Sequence, residues 1–120
     1  LQKRIPPAFP GDAEAWLRLQ YIYELLEEDQ KAIPFHAGEI WQILVAALEY
    51  GQGDFEKTLA FIVNYGRDND TVAAVAGMIL GAQHGIDKLP PGARETVLQV
   101  SREQLGMDLQ ALAAKICEGG

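Results

Sequence analysis

Every residue from Val72 to Ala82 is apolar or glycine, and the run follows directly on the polar stretch Gly66-Arg67-Asp68-Asn69-Asp70-Thr71. Such a run predicts a helix from Asp70 to about Gln83, and a helix without a polar face has to be buried on every side. Its small residues Ala73, Gly77 and Gly81 recur every four positions. That spacing lets neighbouring backbones approach closely, which offsets the roughly 1 kcal/mol that a helical glycine costs relative to alanine. A helix of this kind needs a ring of other helices, and a chain of 120 residues offers few. The chain therefore reads as part of a larger body.

The remaining helices are amphipathic. Asp12 is placed to cap the first, whose apolar positions Ala15, Leu19, Ile22 and Leu26 share one face. Pro34 and Gly38 punctuate the chain before a second helix marked by Ile40, Leu44, Ala47 and Leu48, which Gly51 and Gly53 are expected to stop. Asp54 caps a third helix with Phe55, Leu59 and Ile62 inward, running to Asn64 or Tyr65 and ended by Gly66. Leu89-Pro90-Pro91-Gly92 forms a turn, Arg94 to about Gln104 a short helix, and Asp108 caps a last helix with Leu109, Leu112 and Ile116 inward. No segment alternates like a strand, so the fold class is all-α. Residues 1–11, with Pro6, Pro7 and Pro10, read as a linker or truncated start, and residues 12–120 as the helical part.

Charge narrows the partners. Ten Lys and Arg against 17 Asp and Glu leave a net charge of −7, with no local cluster of cations, which argues against nucleic acid. The uncharged stretch from Thr71 to His84, even continued to Ile86, is shorter than the ~20 residues that cross a bilayer, so no membrane span is expected. The single cysteine, Cys117, cannot pair within the chain, and the N-terminal residues lack an apolar signal region, so a cytoplasmic location is expected.

The polar stretch carries the chemistry. Asp68, Asp70 and Thr71 offer only hard oxygen donors, the set preferred by Mg²⁺, Mn²⁺ or Ca²⁺ and poorly suited to zinc. Extended backbone would point Asp68 and Asp70 apart, so both can face one ion only if the turn curls, which Gly66 permits. The competing reading is simpler: Asp70 caps the apolar helix by accepting its first amide N–H groups. An EF-hand is excluded, because its fifth, sixth and twelfth positions would be Val72, Ala73 and Ile79. Asp68-Asn69-Asp70-Thr71-Val72 also fits the signature of haloacid dehalogenase-like phosphatases, but that motif follows a parallel strand and here it follows a helix.

The ordered run from Ala60 through Asn64-Tyr65-Gly66-Arg67-Asp68-Asn69-Asp70-Thr71-Val72 to Gly85, followed by Leu89-Pro90, resembles the C-terminal signature of the ADP-ribosylglycohydrolases. The resemblance is specific from about Phe55 to Pro90. It implies an orthogonal all-α helical bundle, of which this chain would be the C-terminal part. It also implies metal-dependent hydrolysis of the glycosidic bond between ADP-ribose and a protein side chain or related conjugate, with two Mg²⁺ or Mn²⁺ ions in the complete site. By the resemblance, Asp68, Asp70 and Thr71 are metal ligands, and Asn64, Gly66 and Arg67 lie beside the substrate. The family often has glycine where Arg67 stands and threonine where Asn69 stands, and Arg67 is a candidate bidentate donor to the pyrophosphate. The family's other ligands come from a Thr/Ser-Asp-Asp motif, and this sequence has no Asp-Asp pair. The chain would thus supply half a site, be inactive alone, and need the N-terminal part of the same protein. The alternative is a non-catalytic structural or binding member of the same fold.

Other polar and aromatic residues read as structural. His36 and His84 have no partner at metal-ligand spacing, and His84 suits the C-terminal end of the apolar helix. Trp16, Tyr21, Tyr23, Trp41 and Tyr50 sit at helical spacings and are expected mainly in the core or an interface.

Overall fold

The computed structural model describes residues 11–33 and 36–119. The expected linker, apart from Gly11, and the expected break at Pro34 lie outside the described residues. Six α-helices and one 3-10 turn follow in order, with no strand among the described residues. They are α1 (Ala13–Glu28), α2 (Ala37–Gly51), α3 (Phe55–Tyr65), α4 (Asn69–His84), the 3-10 turn Ile86–Lys88, α5 (Pro91–Gln104) and α6 (Leu109–Glu118). The chain divides into two compact units, one up to Ala76 and one from Gly77.

Three helices start where an aspartate can receive an orphan amide. The carboxylates of Asp12, Asp54 and Asp108 accept from the N–H groups of Ala15, Lys57 and Ala111 at 2.8, 2.7 and 3.0 Å. Asp54→Ala is expected to cost about 1 kcal/mol of stability, read as a lowered thermal midpoint. His36 caps α2, its Nδ1 accepting from the Gly38 N–H at 3.1 Å. Gly38 therefore lies inside the first turn of α2 and does not interrupt the chain ahead of it.

The first unit holds the core. Leu19 and Tyr23 from α1, Ile43, Leu44 and Ala47 from α2, Phe61 and Ile62 from α3, and Val72 and Ala76 from α4 form one buried cluster. Burying a side chain the size of leucine or phenylalanine contributes about 1.5–3 kcal/mol each, and most of the unit's stability resides there. The Tyr23 hydroxyl donates to the Phe61 carbonyl at 2.8 Å, and burial, with Tyr50 nearby, pushes its phenol well above the ordinary range. The link between α2 and α3 is tight. Gln52, at φ 50°, supplies the left-handed residue that ends α2, and Gly53 continues it at φ 84°. Gly51 is the last residue of α2, as expected, and is buried against the fully buried Thr58, whose hydroxyl donates to the Asp54 carbonyl at 2.7 Å.

The second unit is thinner. Pro91 opens α5 at a position where its missing N–H costs nothing, so this helix begins three residues before the expected Arg94. The Arg94 guanidinium donates to the Ile86 carbonyl at 3.3 Å and lies 3.6 Å from the Asp87 carboxylate, which ties the 3-10 turn to α5. Leu112 and Ile116 were expected inward, yet both are exposed, and no residue of α6 is buried. The 3.6-residue period identifies an apolar face; it does not guarantee a surface to cover it.

The same correction applies to α4. One stripe, Val72, Ala76 and Leu80, is buried, while Met78 and Ile79 are exposed on other faces. Among the described residues, a Cβ added at Gly77 or Gly81 would meet nothing within 4 Å, whereas Ala73 packs against the core. Of the aromatics, Tyr23 is buried and Trp16 and Tyr50 pack against the core, but Tyr21 and Trp41 are exposed. Trp41 and Val45 of α2 line a groove of about 550 Å³ with Leu25 and Leu26 of α1. None of the candidate site residues borders that groove.

Candidate functional site

The junction of α3 and α4 is built by two consecutive residues of positive φ. Gly66 ends α3 at φ 88° and ψ −138°, a mirror-image extended conformation open essentially only to glycine, while its N–H still reaches the Ile62 carbonyl at 3.1 Å. Arg67 follows at φ 61°. Two consecutive positive-φ residues thus stand immediately ahead of the acidic stretch. Asn64 is exposed on the last turn of α3.

Asp68 stands at the mouth of α4, its carbonyl accepting the Val72 N–H at 3.2 Å. The sequence pointed to Asp70 as the cap, but Asn69 already begins the helix and Asp70 lies within its first turn. The Thr71 hydroxyl donates to Asp68 Oδ1 at 3.0 Å, which brings two of the three candidate oxygens together. The Asp70 carboxylate is exposed and has no hydrogen-bond partner among the described residues. Neither carboxylate accepts an amide N–H from the first turn of α4. Asp12, Asp54 and Asp108 each do so, and this separates the acidic pair from ordinary capping aspartates. The donor set, two carboxylates and a hydroxyl, fits a hard divalent cation. Among the described residues no three His, Cys, Asp or Glu side chains form a group that could hold a metal ion.

Sequence reasoning missed Glu39, the partner of Arg67 in the turn. Its side chain is 2% exposed. Arg67 Nε and Nη2 donate to its two oxygens at 2.6 and 3.0 Å, and the Lys31 N–H donates at 2.8 Å. Arg67 Nη2 also donates to the Lys31 carbonyl at 2.6 Å. Glu39 therefore occupies the Nε–Nη2 edge of the guanidinium. One signal was available: Glu39 lies on the same stripe of α2 as Ile43 and Ala47, and a carboxylate on an apolar stripe needs a cationic partner.

Arg67's hydrogen bonds outweigh the effect of burial and hold the Glu39 carboxyl below its ordinary value of 4.5. A carboxylate whose pKa is lowered by folding contributes stability that is fully present above the unfolded value and is lost as the pH falls through the folded one. The stability difference between wild type and Glu39→Gln is therefore expected to be largest above about pH 5 and to shrink below pH 4.5, measured by urea unfolding across that range.

The ADP-ribosylglycohydrolase family profile matches residues 3–120, nearly the whole chain. The chain belongs to the ADP-ribosylglycohydrolase family. It is also similar to the ADP-ribosylhydrolase ARH3 of Danio rerio, 47% identical over 38 residues. That alignment covers 32% of this chain and 10% of the relative, so the matched stretch spans about a tenth of the relative's length. No solved structure matches the chain. Membership of a glycohydrolase family agrees with an all-α chain whose polar turn opens an apolar helix. No helix among the described residues is long and apolar enough to cross a membrane.

Proposed function

We propose that this chain supplies the second metal-binding motif of an enzyme that hydrolyses the glycosidic bond between ADP-ribose and a protein side chain or related conjugate. Asp68, Asp70 and Thr71 would hold Mg²⁺ or Mn²⁺, in a complete site of two ions. The observation that supports this reading best is the behaviour of the acidic pair, which sits at the mouth of a helix without capping it. When bound, the ions supply charge stabilisation at the ribose and lower the pKa of a bound water. The contribution of the chain's own residues is positional. The exposed carboxylate of Asp70 and the hydrogen-bonded pair Asp68–Thr71 present oxygens at the end of a short curled turn, where a ligand can approach from solvent. Asn64, Gly66 and Arg67, at the end of α3 and in the turn, would lie beside the substrate.

The other ligands would come from the N-terminal part of the same polypeptide, and the protein would act in the cytoplasm on ADP-ribosylated proteins or ADP-ribose conjugates. The test is release of ADP-ribose from such a conjugate by the full-length protein with Mg²⁺ or Mn²⁺ present, and its loss on chelation. The purified 120-residue chain is expected to release none, because a water is activated only when both halves of the ligand set are present. Turnover by the isolated chain contradicts the half-site reading. A full-length protein that binds ADP-ribose without turnover contradicts the enzymatic one and identifies a binding member of the fold.

A further inference from the structure

Glu39 is a buried carboxylate with three donors on it, in a molecule whose other carboxylates are exposed or half-buried. Its partners come from two separate places in the chain. One is the connection between α1 and α2, where Lys31 gives an N–H to Glu39 and a carbonyl to Arg67. The other is the α3–α4 turn, through the bidentate contact with Arg67. Three of these four hydrogen bonds are made by Arg67, whose backbone, at φ 61°, lies in a region that side-chain-bearing residues seldom occupy. A conformation of that kind persists where surrounding contacts over-determine it. The guanidinium is the contact available to do so, because Asp68 follows it immediately and Gly66, before it, has no side chain.

We propose that Glu39 and Arg67 form a positioning pair for the acidic turn: the buried carboxylate holds the guanidinium, and the guanidinium fixes the left-handed backbone from which Asp68, Asp70 and Thr71 follow. The role as a metal-positioning device rests on the metal-binding reading above. The planar fork of arginine makes two parallel bonds to a carboxylate, and a lysine ammonium, a point donor on a flexible stem, cannot reproduce them. The pair acts through the turn and touches no substrate.

The experiment uses the full-length protein with Arg67→Lys and, separately, Glu39→Gln. Mn²⁺ affinity is read from the electron paramagnetic resonance signal of the free ion, and amide hydrogen exchange is followed at Val72, whose N–H closes the first turn of α4, and at Leu44 in the core. Arg67→Lys is expected to weaken Mn²⁺ binding about tenfold or more, the effect of losing a residue that orients a ligand. It is also expected to speed exchange at Val72 by a similar factor while leaving Leu44 unchanged. Should Glu39→Gln not fold, Arg67→Lys decides the matter, since it keeps the charge and most of the volume. Wild-type affinity together with wild-type exchange at Val72 in Arg67→Lys overturns the pair's role. A wild-type protein that binds no Mn²⁺ overturns the metal reading instead, and exchange at Val72 then judges the pair alone.

Discussion

Asp68→Asn in the full-length protein is expected to abolish most ADP-ribose release, by about 10³-fold, without loss of stability. Asparagine caps a helix as well as aspartate does, so the substitution preserves whatever Asp68 contributes to the start of α4. It also keeps an oxygen for the Thr71 hydroxyl, which donates to Asp68 Oδ1 at 3.0 Å. What it removes is negative charge, which a divalent cation needs and a helix cap does not. Asp68 is half-buried and outside the core, so the thermal midpoint is expected to stay within a few degrees of wild type. Asp70→Asn is expected to behave alike, since that carboxylate is exposed and has no protein partner among the described residues. Full activity in both variants would return the acidic turn to an ordinary helix start. Steady-state assays beside thermal melts separate the two outcomes.

The largest expected effect on stability lies elsewhere, at the crossing of α2 and α3. A Cβ at Gly51 would fall 1.8 Å from Thr58 Oγ1, 3.0 Å from its Cβ and 3.2 Å from its Cα. Thr58 cannot swing aside easily, because it is fully buried and its hydroxyl donates to the Asp54 carbonyl at 2.7 Å. Gly51→Ala therefore forces the two helices apart at the point where they hold the core residues Ala47 and Phe61 together. Overpacking of this kind costs about 3 kcal/mol, which lowers the midpoint of a domain this small by roughly 10 °C or more. Thr58→Ala added to Gly51→Ala removes the closest atom and is expected to restore part of the loss, a coupling that a double-mutant cycle measures. A Gly51→Ala protein as stable as wild type would show that the crossing is looser than described.

Local rules account for what the sequence made legible. The caps at Asp12, Asp54 and Asp108 each depend on a carboxylate and an amide three residues apart, and each formed as expected. The end of α3 at Gly66 was legible for a similar reason, since few other residues can adopt its backbone. The Glu39–Arg67 contact joins residues 28 positions apart, and nothing local marks which cation a buried carboxylate will find. Exposure of Leu112, Ile116 and Met78 was likewise out of reach of periodicity. A pattern specifies which face is apolar, and only the packed neighbours decide whether that face is covered. Within the acidic stretch, the oxygen-rich composition could be read directly. The replacement of Asp70 by Asp68 at the helix mouth followed from the two consecutive positive-φ residues, which no count of donors reveals.

A crystal of the full-length protein soaked in Mn²⁺, measured at a wavelength where manganese scatters anomalously, locates the ion directly. The expected result is an anomalous peak within coordination distance of the Asp68 and Asp70 carboxylates and the Thr71 hydroxyl, lost in Asp70→Asn. A peak elsewhere in the molecule, with those three oxygens bonded only to protein, would contradict the account.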